Sequence, residues 1–447
     1  MRKRFICIIT VFCILCTFLI GCGSKENKTA TDTAKNTKEK VSSGENVELT
    51  LYCMADDVNI DQYIAGFKTQ YKNVTVKKTT FDDSAQMDET IKTELNAGQG
   101  PDIIIFTSQN GLDVLGMAKK GAFLALDDKM AEDVLLEEAD YLPGTFEAGK
   151  VNGAQYVLPL SFAIPFLTYD KTADLGFEPE AVISFEEYCN AIVTDIERLK
   201  DNKNYATLYC QKYSRAVVEA AQVFEVSRED QTAVIDSKGL QMAMDEFARY
   251  ADQIEKVNNI LTAYYKTQTA LPERFTFMCH VSPDITHNVW AWENLYREAG
   301  KEEMGLSILE KADGSGVSAT VSRYGVVTQN AAPYAYEFLR VAMDAYLESN
   351  KTAEYGMSLK KENITSQIEH HLESASNYQG IQMQGLTEEM AEQLTKLYDS
   401  ITEVVIMNPV VRKMCYNSFA PYIYERSKTY EECYSDFEQK LNLYAGE

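Results

Sequence analysis

Gly98 and Gly100 stand two apart in Leu95-Asn-Ala-Gly-Gln-Gly-Pro-Asp-Ile-Ile-Ile-Phe106, directly ahead of an apolar run. Glycines so spaced beside a strand can let backbone amides close around a phosphate. That chemistry needs the order strand, glycines, helix, which aims a helix N-terminus at the anion. Here the glycines leave a helical pattern (84–96) and enter a strand, so helix carbonyls face the turn and repel phosphate. Gly98 reads instead as the residue ending a helix, and Pro101 forbids the helix from resuming.

Other reactive-looking spacings fail on their missing partners. Ser358-Leu-Lys-Lys361 matches S-x-x-K but lacks the companion S-D-N and K-T-G segments. Asp57-Val-Asn-Ile-Asp61 begins like a calcium loop, yet Gln62 stands where glycine is needed and Lys68 where glutamate is needed. His280, His287, His370 and His371 form no H-E-x-x-H, so neither a metal site nor a cofactor is expected. Two carboxylates about 5–10 Å apart would suffice for a glycosidase. With 67 Asp and Glu in the chain, that alternative stays open.

The elements that must position any site follow from hydrophobic period. Val47–Met54 reads as a strand, with Asp56 and Asp57 at its carboxyl end. Ile60, Ile64, Phe67 and Tyr71 recur at helical spacing. Residues 73–81 are β-branched, 84–96 form a helix with Ile91 and Leu95 inward, and 101–106 form a buried strand. Strand–helix–strand–helix–strand predicts a doubly wound α/β sheet. Ser184-Phe-Glu-Glu187 and Thr429-Tyr-Glu-Glu432 are capping boxes opening later helices. Residues 274–281 and 323–329 read as strands, and 334–347 as a helix.

At 447 residues, two lobes are expected. Arg2, Lys3 and Arg4 precede an apolar run over Phe5–Ile20, short of the roughly 20 residues that span a bilayer. Leu19-Ile20-Gly21-Cys22 resembles a lipobox, which implies a signal (1–22) cut before a lipidated Cys22 and several acyl chains as anchor. Residues 23–46 hold no aromatic and only Val41 as a branched aliphatic, the composition of a disordered tether. The formal charge is −24; removing the leader's three basic residues and the tether's net +1 leaves −28 on the body. That acidity argues against nucleic acid as a partner. Six body cysteines (Cys53, Cys189, Cys210, Cys279, Cys415, Cys433) show no paired spacing, and buried free thiols are expected.

Several blocks, in order, resemble the family 1 extracellular solute-binding lipoproteins of bacterial ABC importers. They are Ala97-Gly-Gln-Gly-Pro-Asp-Ile-Ile104, Lys120–Asp128, Tyr156–Pro159, Leu167–Asp170, Gly325–Thr328 and Ala335–Leu339. Trp290-Ala-Trp-Glu-Asn294 resembles a segment of maltose-binding-protein-like members, in which an indole stacks on the apolar face of a sugar. An inserted stretch, 282–288, separates it here from the preceding strand.

The resemblance implies a two-lobed periplasmic-binding-protein-like fold, each lobe a doubly wound sheet, with the ligand cleft between them. One lobe would comprise 47–160 with 323–360, the other 166–320 with 365–447, and crossings fall near 160–165, 320–323 and 359–364. Cleft residues at carboxyl ends of strands and at crossings are Asp56, Asp57, Gln109, Asn110, Phe162, Arg323 and Tyr324, with Trp290 and Trp292 as stacking platforms. The implied protein is a monomer without catalysis of its own, lipid-anchored on the extracytoplasmic face of the cell membrane. It would capture a small polar ligand, most plausibly an oligosaccharide, and pass it to ABC permease subunits. A sensing or adhesion lipoprotein on the same fold is the alternative.

Overall fold

The computed structural model describes residues 45–57, 59–108, 110–171, 181–190, 205–209, 222–227, 232–251, 274–282, 285–298, 304–345, 357–378 and 381–446. The leader, Cys22 and the tether up to 44 lie outside these, as does Gln109. No helix among the described residues is long and apolar enough to cross a membrane.

Strand β1 (Val47–Met54) buries Leu49, Leu51 and Cys53 on one face, the alternation that its sequence shows. It pairs in parallel with β2 (Val74–Phe81) and with β3 (Ile103–Thr107). Helix α1 (Asn59–Gln70) buries Ile60, Tyr63 and Phe67, spacings of three and four that put one stripe on the sheet. Helix α2 (Ser84–Asn96) is capped by Asp83, whose carboxylate accepts from the Gln86 amide at 2.9 Å. It ends where expected. Gly98 takes φ 68°, the left-handed value that glycine adopts at no steric cost, and Gly100 takes φ 128°. The next residue with a task is Asp102. Its carboxylate accepts from the Thr50 amide, the Thr50 hydroxyl and the Ala332 amide, each at 2.6 Å, and so fixes β3 against β1.

Two long strands carry the architecture. The 14-residue β4 (Val157–Asp170) pairs through 157–163 with β8 (Val317–Val327). Through 164–170 it pairs with β6 (Arg274–Ser282) and β7 (Met304–Leu309). Strand β8 changes neighbours likewise. Residues 317–320 run parallel to β9 (Ile401–Val405) and 323–327 antiparallel to β3, with ladder irregularities on both sides of Arg323. With β5 (Tyr205–Tyr209) beside β6 and the pair Val182–Ile183 beside β7, these strands form one ten-stranded sheet.

Beyond the change of partners lies a second core. Leu167, Tyr169 and Tyr188 pack with Leu240, Met244 and Phe247 of α4 (Ser237–Ala251). Val411, Cys415 and Phe419 of α9 (Pro409–Ile423) and Cys433, Phe437 and Leu441 of α10 (Tyr430–Gly446) complete it. Both capping boxes form. The Ser184 amide donates to Glu187 at 2.9 Å, and the Glu187 amide to the Ser184 hydroxyl at 3.1 Å. Thr429 and Glu432 exchange the same pair of bonds. Cys53, Cys415 and Cys433 are buried free thiols, and Cys189 is buried too; the side chains of Cys210 and Cys279 lie outside the described residues.

Candidate functional site

The carboxyl ends of β1 and β3 converge on the place where β8 changes neighbours. Arg323 Nε sits 2.8 Å from Asp57 Oδ2, with 9% of the arginine side chain and 1% of the aspartate exposed. Asp57 also accepts the Asn59 amide at 3.2 Å, at the opening of α1. Beside them, the Ser161 and Ser322 hydroxyls share a 2.8 Å hydrogen bond that ties β4 to β8. The Ser108 amide donates to the Ser322 carbonyl at 2.9 Å, which brings the end of β3 into the same cluster. Asp56, one residue from the ion pair, faces solvent. Asp56, Asp57 and Arg323 are thus brought together; the last two are buried against each other, and Asp56 is the one exposed to bond a hydroxyl group.

The other expected residues are engaged in packing and bonds of their own. Asn110 is buried in its own turn: its Oδ1 accepts the Thr107 amide at 2.9 Å and its Nδ2 donates to Asp88 at 2.9 Å. Burial raises the Asp88 carboxyl above its usual range, against the pull of its bonds from Asn110 and Gly111. Phe162 is fully buried and meets Tyr398 edge-on at 6.2 Å. Tyr324 is buried and stacks on Phe106 at 5.5 Å.

Trp290 and Trp292 lie on α5 (Ile285–Glu298), 4% and 8% exposed. The Trp290 indole N–H donates to the Gln384 carbonyl at 2.7 Å. Asn294, one turn on, donates to the same carbonyl at 3.0 Å and accepts the Gln384 amide at 2.7 Å. Glu293 accepts from the Thr387 hydroxyl at 2.6 Å, where Thr387 caps α8 (Glu388–Asp399). The Trp-Ala-Trp-Glu-Asn segment therefore clamps the chain at 384–387. Nothing local in the sequence links 290 to 384.

A cavity of about 340 Å³ opens beyond β3. Asp113, Lys119 and Lys150 line one side, and Gln222, Glu225 and Asn408 the other. The two sides are linked at its edge. The Tyr444 hydroxyl donates to Asp113 at 2.6 Å, Asn408 Nδ2 to Asp113 at 3.3 Å, and Arg412 to the Ser108 carbonyl at 2.8 Å. Sequence reasoning missed Asp113, Asn408, Arg412 and Tyr444. The one local signal was capping: Asp113 caps α3 (Val114–Lys119), and Asn408 precedes Pro409 at the start of α9. A cap signal says where a helix begins, not what it faces. The volume is at the small end of ligand pockets, and its carboxylate, ammonium and amide groups stand among apolar side chains that include Leu115, Phe224, Val405 and Val411, the usual make-up of a small-molecule site. Among the described residues no group of three His, Cys, Asp or Glu side chains could hold a metal.

The family model for bacterial extracellular solute-binding proteins matches residues 62–355. No curated protein matches the sequence. Among solved structures, the chain is similar to a family 1 extracellular solute-binding protein from Alicyclobacillus acidocaldarius, with 14% identity, 91% of this chain and 100% of that one covered, and TM-score 0.54. It is similar to the Listeria monocytogenes ABC substrate-binding protein solved with cycloalternan, with 13% identity, 90% and 100% coverage, and TM-score 0.54. A third is the lacto-N-biose-binding protein of a Bifidobacterium longum ABC transporter, at 13% identity, 90% and 98% coverage, and TM-score 0.57.

Proposed function

Because the chain belongs to the bacterial extracellular solute-binding proteins, a family that acts outside the cytoplasm, we propose that it captures an oligosaccharide and delivers it to an ABC importer. The observation that carries this reading is the cavity between α3 and α9, where Asp113, Lys119, Lys150, Glu225 and Asn408 stand among apolar side chains, beside strands that change neighbours at 163/164 and 320/323. We take those changes as the crossings between two lobes, 47–160 with 323–360 and 166–320 with 365–447. The Asp113–Tyr444 bond then spans the cleft, and closing it around a solute is the hinge motion that the importer would read. The protein works as a monomer and performs no chemistry on its solute. Solutes bound by the similar proteins, cycloalternan and lacto-N-biose, support the choice of ligand class.

The site residues divide by exposure. Asp56 meets solute directly, and Asp57, Asn110, Phe162, Arg323 and Tyr324 hold the surface behind it; Gln109, a ligand residue on the sequence reading, lies outside the described residues. Trp290 reaches a solute only when the 384–387 segment lifts, and Trp292, 8% exposed on the same helix, is a platform only if that helix moves with it. A thermal-shift series with maltotriose, mannotriose and a β-1,6-galactobiose tests the reading, since saturation a hundredfold above Kd adds about 2.7 kcal/mol of apparent stability. A rise in Tm with at least one sugar is expected. If short peptides raise Tm and no sugar does, the carbohydrate assignment fails. Trp290→Phe, measured with the responding sugar, places the indole: an unchanged Kd puts it outside the site.

The anchor is proposed on the lipobox at Leu19–Cys22, with residues 23–46 as tether. Cys22→Ala is expected to move the protein from the membrane fraction into the medium or periplasm. A variant still pelleting with membranes at the parent level would refute the anchor.

A further inference from the structure

Between the short helix at Asp127–Glu132 and the turn at Glu138–Asp140, two aliphatic side chains stand in water. Val134 is 90% exposed and Leu135 is 75% exposed. Single exposed aliphatics are ordinary, but this adjacent pair is held in place. Arg340 on α6 (Ala335–Asp344), its side chain 9% exposed, lies 3.1 Å from the Asp133 carboxylate through Nε. Its Nη2 donates to the Leu135 carbonyl at 2.7 Å, and its Nη1 pairs with Asp344. Tyr336 donates to Asp133 at 3.0 Å, and the Leu135 amide donates back to Asp133 at 3.0 Å. A buried guanidinium thus holds the backbone at Leu135 and the carboxylate of Asp133, on either side of Val134. Glu132, Glu137, Glu138 and Asp140 form an exposed acidic collar around the tip.

We propose that the Val134–Leu135 knob docks into an apolar socket rimmed by Lys and Arg on a membrane-embedded subunit of the importer; this rests on the solute-delivery reading above. Charge selects that occupant. Anionic lipid head groups would repel the collar. A second copy of this chain, whose body carries −28, would bring like charge to like. A basic rim with an apolar floor complements both parts of the knob. Removing each aliphatic side chain from water is worth about a tenfold gain in affinity or more, so the pair suits a contact that forms and releases each transport cycle.

The test places the photo-crosslinking residue p-benzoylphenylalanine at Leu135 of the full-length protein in its own cells, with Tyr424, 60% exposed, as control position. Irradiation is expected to give an adduct at 135, identified by mass spectrometry as a polytopic importer subunit, and none at 424. Reversing the collar with Glu137→Lys and Glu138→Lys is expected to cut adduct yield at least tenfold. An adduct with a second copy, a lipid or a non-transport protein overturns the proposal, as does no adduct, an equal adduct at 424, or a yield indifferent to collar charge. Maltotriose thermal shifts, compared between the parent and Val134→Ser/Leu135→Ser, report on solute capture separately. An equal shift in both is expected, and a shift lost only in the variant would make the knob part of the solute site and overturn its assignment to docking.

Discussion

Arg323→Met is expected to lower the free energy of unfolding by about 3–5 kcal/mol, because it leaves the Asp57 carboxylate buried without its counter-charge. Asp57 has 1% of its side chain exposed, so water cannot replace the guanidinium. The Asn59 amide at 3.2 Å remains, but one backbone donor does not neutralise a charge. The pair also joins the end of β1 to the irregular point of β8, where one strand leaves β9 and meets β3. Losing it loosens the place about which the strands change neighbours. Adding Asp57→Asn to Arg323→Met should recover much of the loss, since the second change removes the stranded charge rather than an interaction. Urea unfolding of the two variants decides the matter: a loss below about 1 kcal/mol in the single variant would mean that solvent or another cation reaches Asp57.

That pair shows what the sequence could and could not disclose. Asp57 and Arg323 both stood out, one for its place after a strand and the other for its place at a crossing. Their partnership joins positions 266 apart and has no local signature. The first strands and helices were legible almost to the residue, because β1, α1 and α2 bury one face at a clear period, β3 is an unbroken apolar run, and Asp83, Gly98 and Pro101 punctuate them. The α1 stripe differs in detail: Tyr63, not Ile64 or Tyr71, is the fully buried aromatic or aliphatic beside Ile60 and Phe67. The amino half of β8 was missed. The sequence reads as a strand only from 323, yet all of Val317–Val327, Ser318, Thr320 and Ser322 included, is buried between neighbouring strands. Small hydroxyl side chains tolerate that burial when bonded, as Ser322 is to Ser161. Around the cavity, local pattern marked strand ends but not what faces them. Asp113, Asn408 and Tyr444 meet only after the C-terminal helices fold back.

Stability is expected to fall by on the order of 3 kcal/mol between pH 6.5 and pH 4 on account of His371 alone, since each unit of pKa shift is worth about 1.4 kcal/mol. His371, on α7 (Lys361–Glu373), is 2% exposed. Its pKa is lowered to about 4, chiefly by burial and also by the His287 and His370 rings, with the Gln367 carbonyl, bonded to Nδ1 at 2.9 Å, opposing them. The ring is enclosed by His287 at 5.7 Å, His370 at 5.4 Å and Trp290 at 5.5 Å. Burial lowers the pKa of His287 as well. The sign follows from which state takes the proton. Below about 6.5 the unfolded chain binds a proton at position 371 that the folded chain refuses until about 4. The neutral ring's contribution is therefore complete above 6.5, is lost progressively as pH falls, and changes no further below 4. Because α5 carries both His287 and Trp290, protonation there would loosen the same helix that clamps 384–387. His371→Asn keeps a donor for the Gln367 carbonyl and removes the titration, so its stability should depend less on pH than the parent's across this window. Parallel unfolding curves at pH 7, 5.5 and 4 measure the difference directly; two proteins losing stability by the same amount would show that His371 is protonated freely in the fold.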